Sequence, residues 1–161
     1  MLTTLLAVIA VAAASAPSAR LVAGPNLSDW SGGSADTSLD TPTIRWSHAD
    51  AHTLRLSSPP ADWDTHNAIR IRLRNEVAVD GAMMLIVASE NPATEGMDYW
   101  MSRIRLDIAG WREIVLPRLT MGPAREPLGW DRIGDVYFTA AGWGNTPSPN
   151  AVVHLERMEL V

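Results

Sequence analysis

The segment NAIRIRLRNEV, residues 67–77, sets Ile69, Ile71 and Leu73 on one side and Arg70, Arg72 and Arg74 on the other. A period of two sends successive side chains to opposite faces of an extended chain. The segment therefore reads as a β-strand with one face in a core and the other in water.

The same pattern recurs on both sides of it. HTLRLSS (52–58) sets Leu54 and Leu56 against Thr53, Arg55 and Ser57. DYWMSRIRLDIAG (98–110) sets Trp100, Ile104, Leu106 and Ile108 against Tyr99, Arg103, Arg105 and Asp107. GAMMLIVASE (81–90) is apolar on both faces, as befits a strand in the middle of a sandwich. WREIVLP (111–117), IGDVYFTA (133–140) and AVVHLERMELV (151–161) complete the set. The connections SSPPADWDTHN, SENPATEG, LTMGPAREPLG and GWGNTPSPN are rich in turn residues. Seven or eight strands with almost no helical periodicity predict an all-β fold, an antiparallel two-sheet sandwich with jelly-roll topology. GPNLSDWSGGSADTSLDTP (24–42) is the loosest stretch and reads as an opening strand with a long loop. A jelly roll often closes with its first and last strands adjacent, and the chain stops at Val161 at the end of a good strand, so the expectation is a complete domain that is a fragment, or a stand-alone copy, of a longer protein.

Composition narrows the function. The 161 residues carry a net charge of −5, and no helix-turn-helix, zinc-finger or RNA-recognition pattern is present, which argues against a nucleic-acid partner. All 13 basic residues are arginine, and there is no cysteine, which excludes disulfides and thiolate metal sites. MLTTLLAVIAVAAASAPSA has an apolar run from Leu5 to Ala14 followed by small residues. It reads as a signal peptide over residues 1–19, cut near Ala16 or Ala19. The run is short for a membrane span. The expectation is a secreted or periplasmic protein without a membrane partner after cleavage, its folded domain spanning residues 20–161.

No catalytic constellation emerges: there is no nucleophile elbow, zincin, phosphate-loop or dinucleotide motif. His48, His52, His66 and His154 are scattered, and the His48/His52 pair reads as surface histidine. The chain is therefore expected not to be an enzyme, with a small single-domain lyase or hydrolase as the minor alternative.

The positive signal is aromatic: seven tryptophans stand against one phenylalanine and two tyrosines. A sugar ring stacks its C–H face on an exposed indole while its hydroxyls bond to nearby polar groups. Three tryptophans follow glycine. Trp111 and Trp130 read as strand openings that seal the sandwich, and Trp143, in GWGNTPSPN beside Asn145, as a loop-borne platform. Trp63 is similarly loop-borne, whereas Trp100 has core parity. Arg55, Arg70, Arg72, Arg74, Arg103 and Arg105 all occupy outward parity and would form one patch for an acidic polymer if their strands are neighbours. Cross-strand pairing with Glu76, Asp107 and Glu113 is the alternative. The candidate ligand-binding residues are Trp143, Asn145, Trp63, Tyr99, Arg103, Arg105 and Arg72.

The motifs SEN, DYW, GWREIVLP, PLGWDRIGDVYF and VVHLERMEL, between Leu54 and Val161, resemble galactose-binding-like jelly-roll modules of secreted bacterial polysaccharide-degrading enzymes. The similarity is greatest to the accessory β-domains of heparinase- and alginate-lyase-like proteins. The resemblance implies a non-catalytic carbohydrate-binding module with a polysaccharide ligand and a catalytic domain or partner chain beside it. A structural sandwich that packs on a catalytic domain without binding sugar is the alternative. The resemblance also implies a structural Ca2+ held by Glu156 on the closing strand, with Asp29 or Asp40 from the N-terminal loop.

Overall fold

The computed structural model describes residues 18–161. Most of the expected signal peptide, residues 1–17, lies outside the described residues. Among the described residues no helix is long and apolar enough to cross a membrane.

The described residues form twelve strands: β1 (Arg20–Ala23), β2 (Trp30–Ser31), β3 (Ser34–Asp36), β4 (Thr43–Ser47), β5 (Thr53–Leu56), β6 (Ala68–Asn75), β7 (Ala82–Ala88), β8 (Tyr99–Arg105), β9 (Gly110–Pro117), β10 (Gly122–Ala124), β11 (Asp135–Thr139) and β12 (Val152–Leu160). They make two six-stranded antiparallel sheets. Sheet I has the order β3-β4-β12-β6-β9, with β1 also on β12; sheet II has the order β10-β8-β7-β11-β5-β2. The sandwich is the jelly-roll architecture that the alternation implied, and its first and last strands are adjacent, with Arg20 opposite Leu160.

Register explains the layering. On β6, Ile69, Ile71 and Leu73 face Leu160, Met158 and Leu155 of β12, and all six are buried. From sheet II, Met83, Leu85 and Val87 of β7 and Val136 and Phe138 of β11 join the same core. Four tryptophans, Trp30, Trp46, Trp63 and Trp130, are buried with them. Burying an indole strands its N–H unless an acceptor meets it. Trp30 donates to Gly24 O at 3.0 Å and Trp46 to Ala51 O at 2.8 Å. Trp63 donates to Pro60 O at 2.6 Å.

Three expectations fail here. Trp63 is no platform: it is fully buried, edge-on to Trp130 at 5.7 Å, because its loop folds into the end of the core. Trp111 does not seal the sandwich. It pairs with Arg74 on the outward parity of β9 and stays 36% exposed, with the Arg72 guanidinium 4.9 Å from its ring. His48 is not a surface residue but lies buried against Trp46, with ring centroids 4.5 Å apart. Burial, reinforced by the nearby His52 charge, depresses its pKa to about 4. Trp130, by contrast, does seal the core, with Trp100 edge-on to it at 6.1 Å. Ile108 leaves the core side because β8 ends at Arg105.

Candidate functional site

The connection after β11 runs three consecutive residues through positive φ. Gly142, Trp143 and Gly144 have φ of 87°, 50° and 76°. Asn145 N–H donates to Gly142 O at 2.8 Å, closing a tight turn whose two central residues both have positive φ, as in a mirror-image turn. Glycine enters that region freely. An L-residue with a bulky side chain does so at a cost of about 1–2 kcal/mol, so tryptophan there needs compensation. Tyr99 supplies it: Trp143 Nε1 donates to Tyr99 Oη at 2.8 Å, and the rings meet edge-on at 5.7 Å. The indole remains 38% exposed.

Tyr99 places this turn on the outer face of sheet II. Across that sheet, Tyr99, Ala88 and Asp135 form one row. Met101, Ile86, Tyr137 and Arg55 form the next, and Arg103, Met84 and Thr139 a third. Thr139 ends β11 in the third row, four residues along β7 from the row of Tyr99, which is about 13 Å. The segment after β11 must therefore double back over the face to bring Trp143 onto Tyr99. Beneath lies a second apolar cluster of Met84, Ile86 and Tyr137, packed by Met97, Tyr99 and Met101. Burial, with the Asp135 charge beside it, pushes the Tyr137 hydroxyl above its usual range.

The rim of this face is fastened by Asp98, a wholly buried carboxylate. It accepts from Thr94 Oγ1 at 2.5 Å, Glu126 N at 2.9 Å and Asn91 N at 3.2 Å. These bonds, the Thr94 hydroxyl first, hold its pKa below the usual carboxylate value. Asn145, in the turn, has both side-chain amide atoms buried without a hydrogen-bond partner among the described residues.

The arginines divide between two faces instead of forming one patch. On the outer face of sheet II, Arg55 pairs with Asp135 at 2.7 Å and lies over Tyr137, and Arg105 pairs with Asp107 at 2.8 Å. Arg103 is exposed and has no ion pair among the described residues. Arg70, Arg72 and Arg74 lie on sheet I, so Arg72 cannot share a site with Trp143. Arg70 meets Glu159 at 2.8 Å, Arg72 meets Glu156 at 2.6 Å, and Arg157 reaches Glu113 at 3.4 Å.

Trp143, Tyr99, Arg103 and Arg105 are thus brought to one face, with Asn145 in the same turn. Tyr137 and Arg55 belong with them. The alternation of DVYFT assigns Tyr137 outward, but only the pairing of β11 between β7 and β5 makes it a neighbour of Arg55. The calcium donors do not fit: Glu156 has one oxygen on Arg72 and the other on Arg157. Asp29 is held by Asn26 and Ser28. Among the described residues no group of three or more His, Asp or Glu could hold a metal ion.

No protein-family model matches the chain, and no curated protein matches it. Solved structures do. The family 11 carbohydrate-binding module of the cellulosomal cellulase Lic26A-Cel5E of Clostridium thermocellum aligns with TM-score 0.64 at 15% identity, covering 91% of this chain and 96% of that one. A family 11 module from Clostridium thermocellum, in complex with a beta-1,3-1,4-mixed-linked tetrasaccharide, gives 0.62 at 14%, covering 91% and 97%. A family 30 carbohydrate-binding module gives 0.58 at 8%, covering 80% and 82%. At these identities the likeness is one of fold.

Proposed function

We propose that this chain is a non-catalytic carbohydrate-binding module of an exported polysaccharide-degrading system, holding a polysaccharide against the outer face of sheet II. The observation that carries the reading is Trp143: an exposed indole kept in a left-handed backbone conformation and braced by Tyr99. Strain of this kind persists where the surroundings enforce it, and it concentrates at ligand sites. Trp143 supplies the stacking surface, and the exposed Arg103 supplies donors to hydroxyls or to the carboxylates of an acidic polymer, while the Asn145 amide is buried inside the turn. Support comes from the fold shared with carbohydrate-binding modules. Export rests on the leader in the sequence. A catalytic domain or partner chain beside the module is what the resemblance of the sequence motifs to lyase accessory domains implies.

Affinity electrophoresis and calorimetry against neutral and anionic polysaccharides test this reading. At least one polymer is retained by the wild type and released by Trp143→Ala. Retention of none would sink the proposal, and retention unchanged by Trp143→Ala would sink the site.

A second reading, a structural domain packed on a catalytic partner, draws on the margin of β9. Ile108, Val115 and Leu119 are 54%, 51% and 98% exposed along that edge, beside Trp111. Such a run of apolar side chains is what a partner surface would cover. This second reading has no sugar ligand, so retention of any polysaccharide decides against it.

A further inference from the structure

A hollow of about 280 Å3 lies where the chain crosses from sheet II to sheet I between β2 and β3, lined by Gly32, Gly33, Ser34, Arg45, Ser47 and Asp50. Its wall is rigid for a steric reason. A Cβ on Gly32, whose φ is 90°, would sit 2.0 Å from Thr53 O, and one on Gly33 2.6 Å from Ile44 Cγ2. The crossing is pressed against β4 and β5 and admits no side chain.

The polar groups around it are unspent. Arg45 engages Glu76 through Nε alone, at 3.4 Å, and its two terminal nitrogens have no partner among the described residues. The Ser34 and Ser47 hydroxyls and the Asp50 carboxylate likewise have no side-chain hydrogen bond within the described residues. Arg45, Asp50, Ser34 and Ser47 thus line one hollow, with the terminal nitrogens of Arg45, the Asp50 carboxylate and both hydroxyls free of side-chain partners among the described residues.

We propose that this hollow is a second carbohydrate site, separate from the face under Trp143, and that it takes a single neutral sugar ring through vicinal hydroxyls. Asp50 accepts from adjacent sugar hydroxyls, and the Arg45 fork donates to sugar oxygens. Both are charge-assisted bonds, stronger than those between neutral groups. The opposite charges of Arg45 and Asp50 offset each other, which favours an uncharged ring over a uronate or an amino sugar. The volume falls just below the range of drug-sized pockets, which suits one ring and not a chain. No aromatic side chain lines the hollow, so binding is weak, with dissociation constants in the millimolar range.

The test is a 1H–15N NMR titration of the chain with D-glucose, D-galactose, D-mannose and D-xylose, with D-glucuronate as the anionic comparator. At least one neutral sugar produces saturable shifts at the Gly32, Gly33 and Ser34 amides, and glucuronate binds more weakly. Asp50→Asn weakens the response at least tenfold, as does Arg45→Gln, whereas Trp143→Ala leaves it intact. Asp50 lies in an exposed turn, and the spectrum of its variant reports directly that the fold is kept. The absence of shifts at these amides with every neutral sugar overturns the proposal, as do shifts undiminished in both variants. Either result leaves the reading of the Trp143 face standing.

Discussion

The two outer faces of the sandwich are built on the same alternation of residues and end with opposite chemistry. On sheet I, arginines of β6 and β12 lie beside glutamates of β12 and β9, so Arg70, Arg72 and Arg157 meet Glu159, Glu156 and Glu113. That face is a ladder of pairs, largely satisfied within itself. On sheet II, β8 lies beside β7, whose outward residues are apolar; Arg103 there has no ion pair among the described residues, and a strained turn lays an indole edge-on against Tyr99. The difference teaches that alternation decides which residues face out, while strand neighbours decide what they become.

The largest expected effect tests that contrast directly. Trp143→Ala weakens polysaccharide binding at least tenfold in calorimetry, and Trp111→Ala on the opposite face leaves it unchanged. Equal losses would break the comparison.

Next comes the interior between the faces. Trp130→Ala costs about 3–5 kcal/mol, the range for truncating a buried aromatic, measured by denaturant unfolding. An effect below about 1 kcal/mol would mean that the Gly129-Trp130 pair does not seal the core.

A pH profile separates this interior from both faces. The pKa of His48 is lowered to about 4 from 6.5, so between those values the unfolded chain binds the proton and the folded chain does not. Its contribution is complete above pH 6.5 and is lost as pH falls towards 4, at most about 3 kcal/mol in all. Unfolding free energies measured across that window fall on acidification, and His48→Phe flattens the fall. An unchanged slope in that variant would remove His48 as its source.

Trp143→Gly is expected to raise stability by up to about 1 kcal/mol, because glycine relieves the left-handed strain, while abolishing binding. A destabilised variant would show that the Tyr99 contact outweighs the strain. The smallest effect belongs to the ladder. Glu156→Gln loses about 1 kcal/mol or less in low salt, less still in high salt, with no change in binding.

Much of the fold was legible because β5, β6, β9 and β11 alternate over four residues or more, β7 is a continuous apolar run, and β8 and β12 alternate over part of their length. The strands β1, β2, β3 and β10 were not, being only two to four residues long, and β2, β3 and β10 also carry Gly, Ser or Pro. β4 does alternate, with Ile44 and Trp46 inward, but it emerges from a loop-like stretch that hides it. At the site, GWGN announced Trp143 because two glycines around an indole forecast a turn. Trp63 misled for the converse reason: its neighbours are polar, and only its tertiary contact with Trp130 reveals that it is buried. The single arginine patch dissolved because membership of a sheet is a long-range pairing that periodicity does not contain.

The pairing of β1 with β12 has a mechanical meaning. Arg20 sits opposite Leu160, so the outer ends of the two strands lie at the same edge of sheet I. Tension applied through both ends loads the hydrogen bonds between them one after another, like a zip, instead of shearing them together. A domain pulled in this way yields at low force by shedding β1 first. Sheet II, with the Trp143 turn above it, would keep its strands paired while that first strand peels.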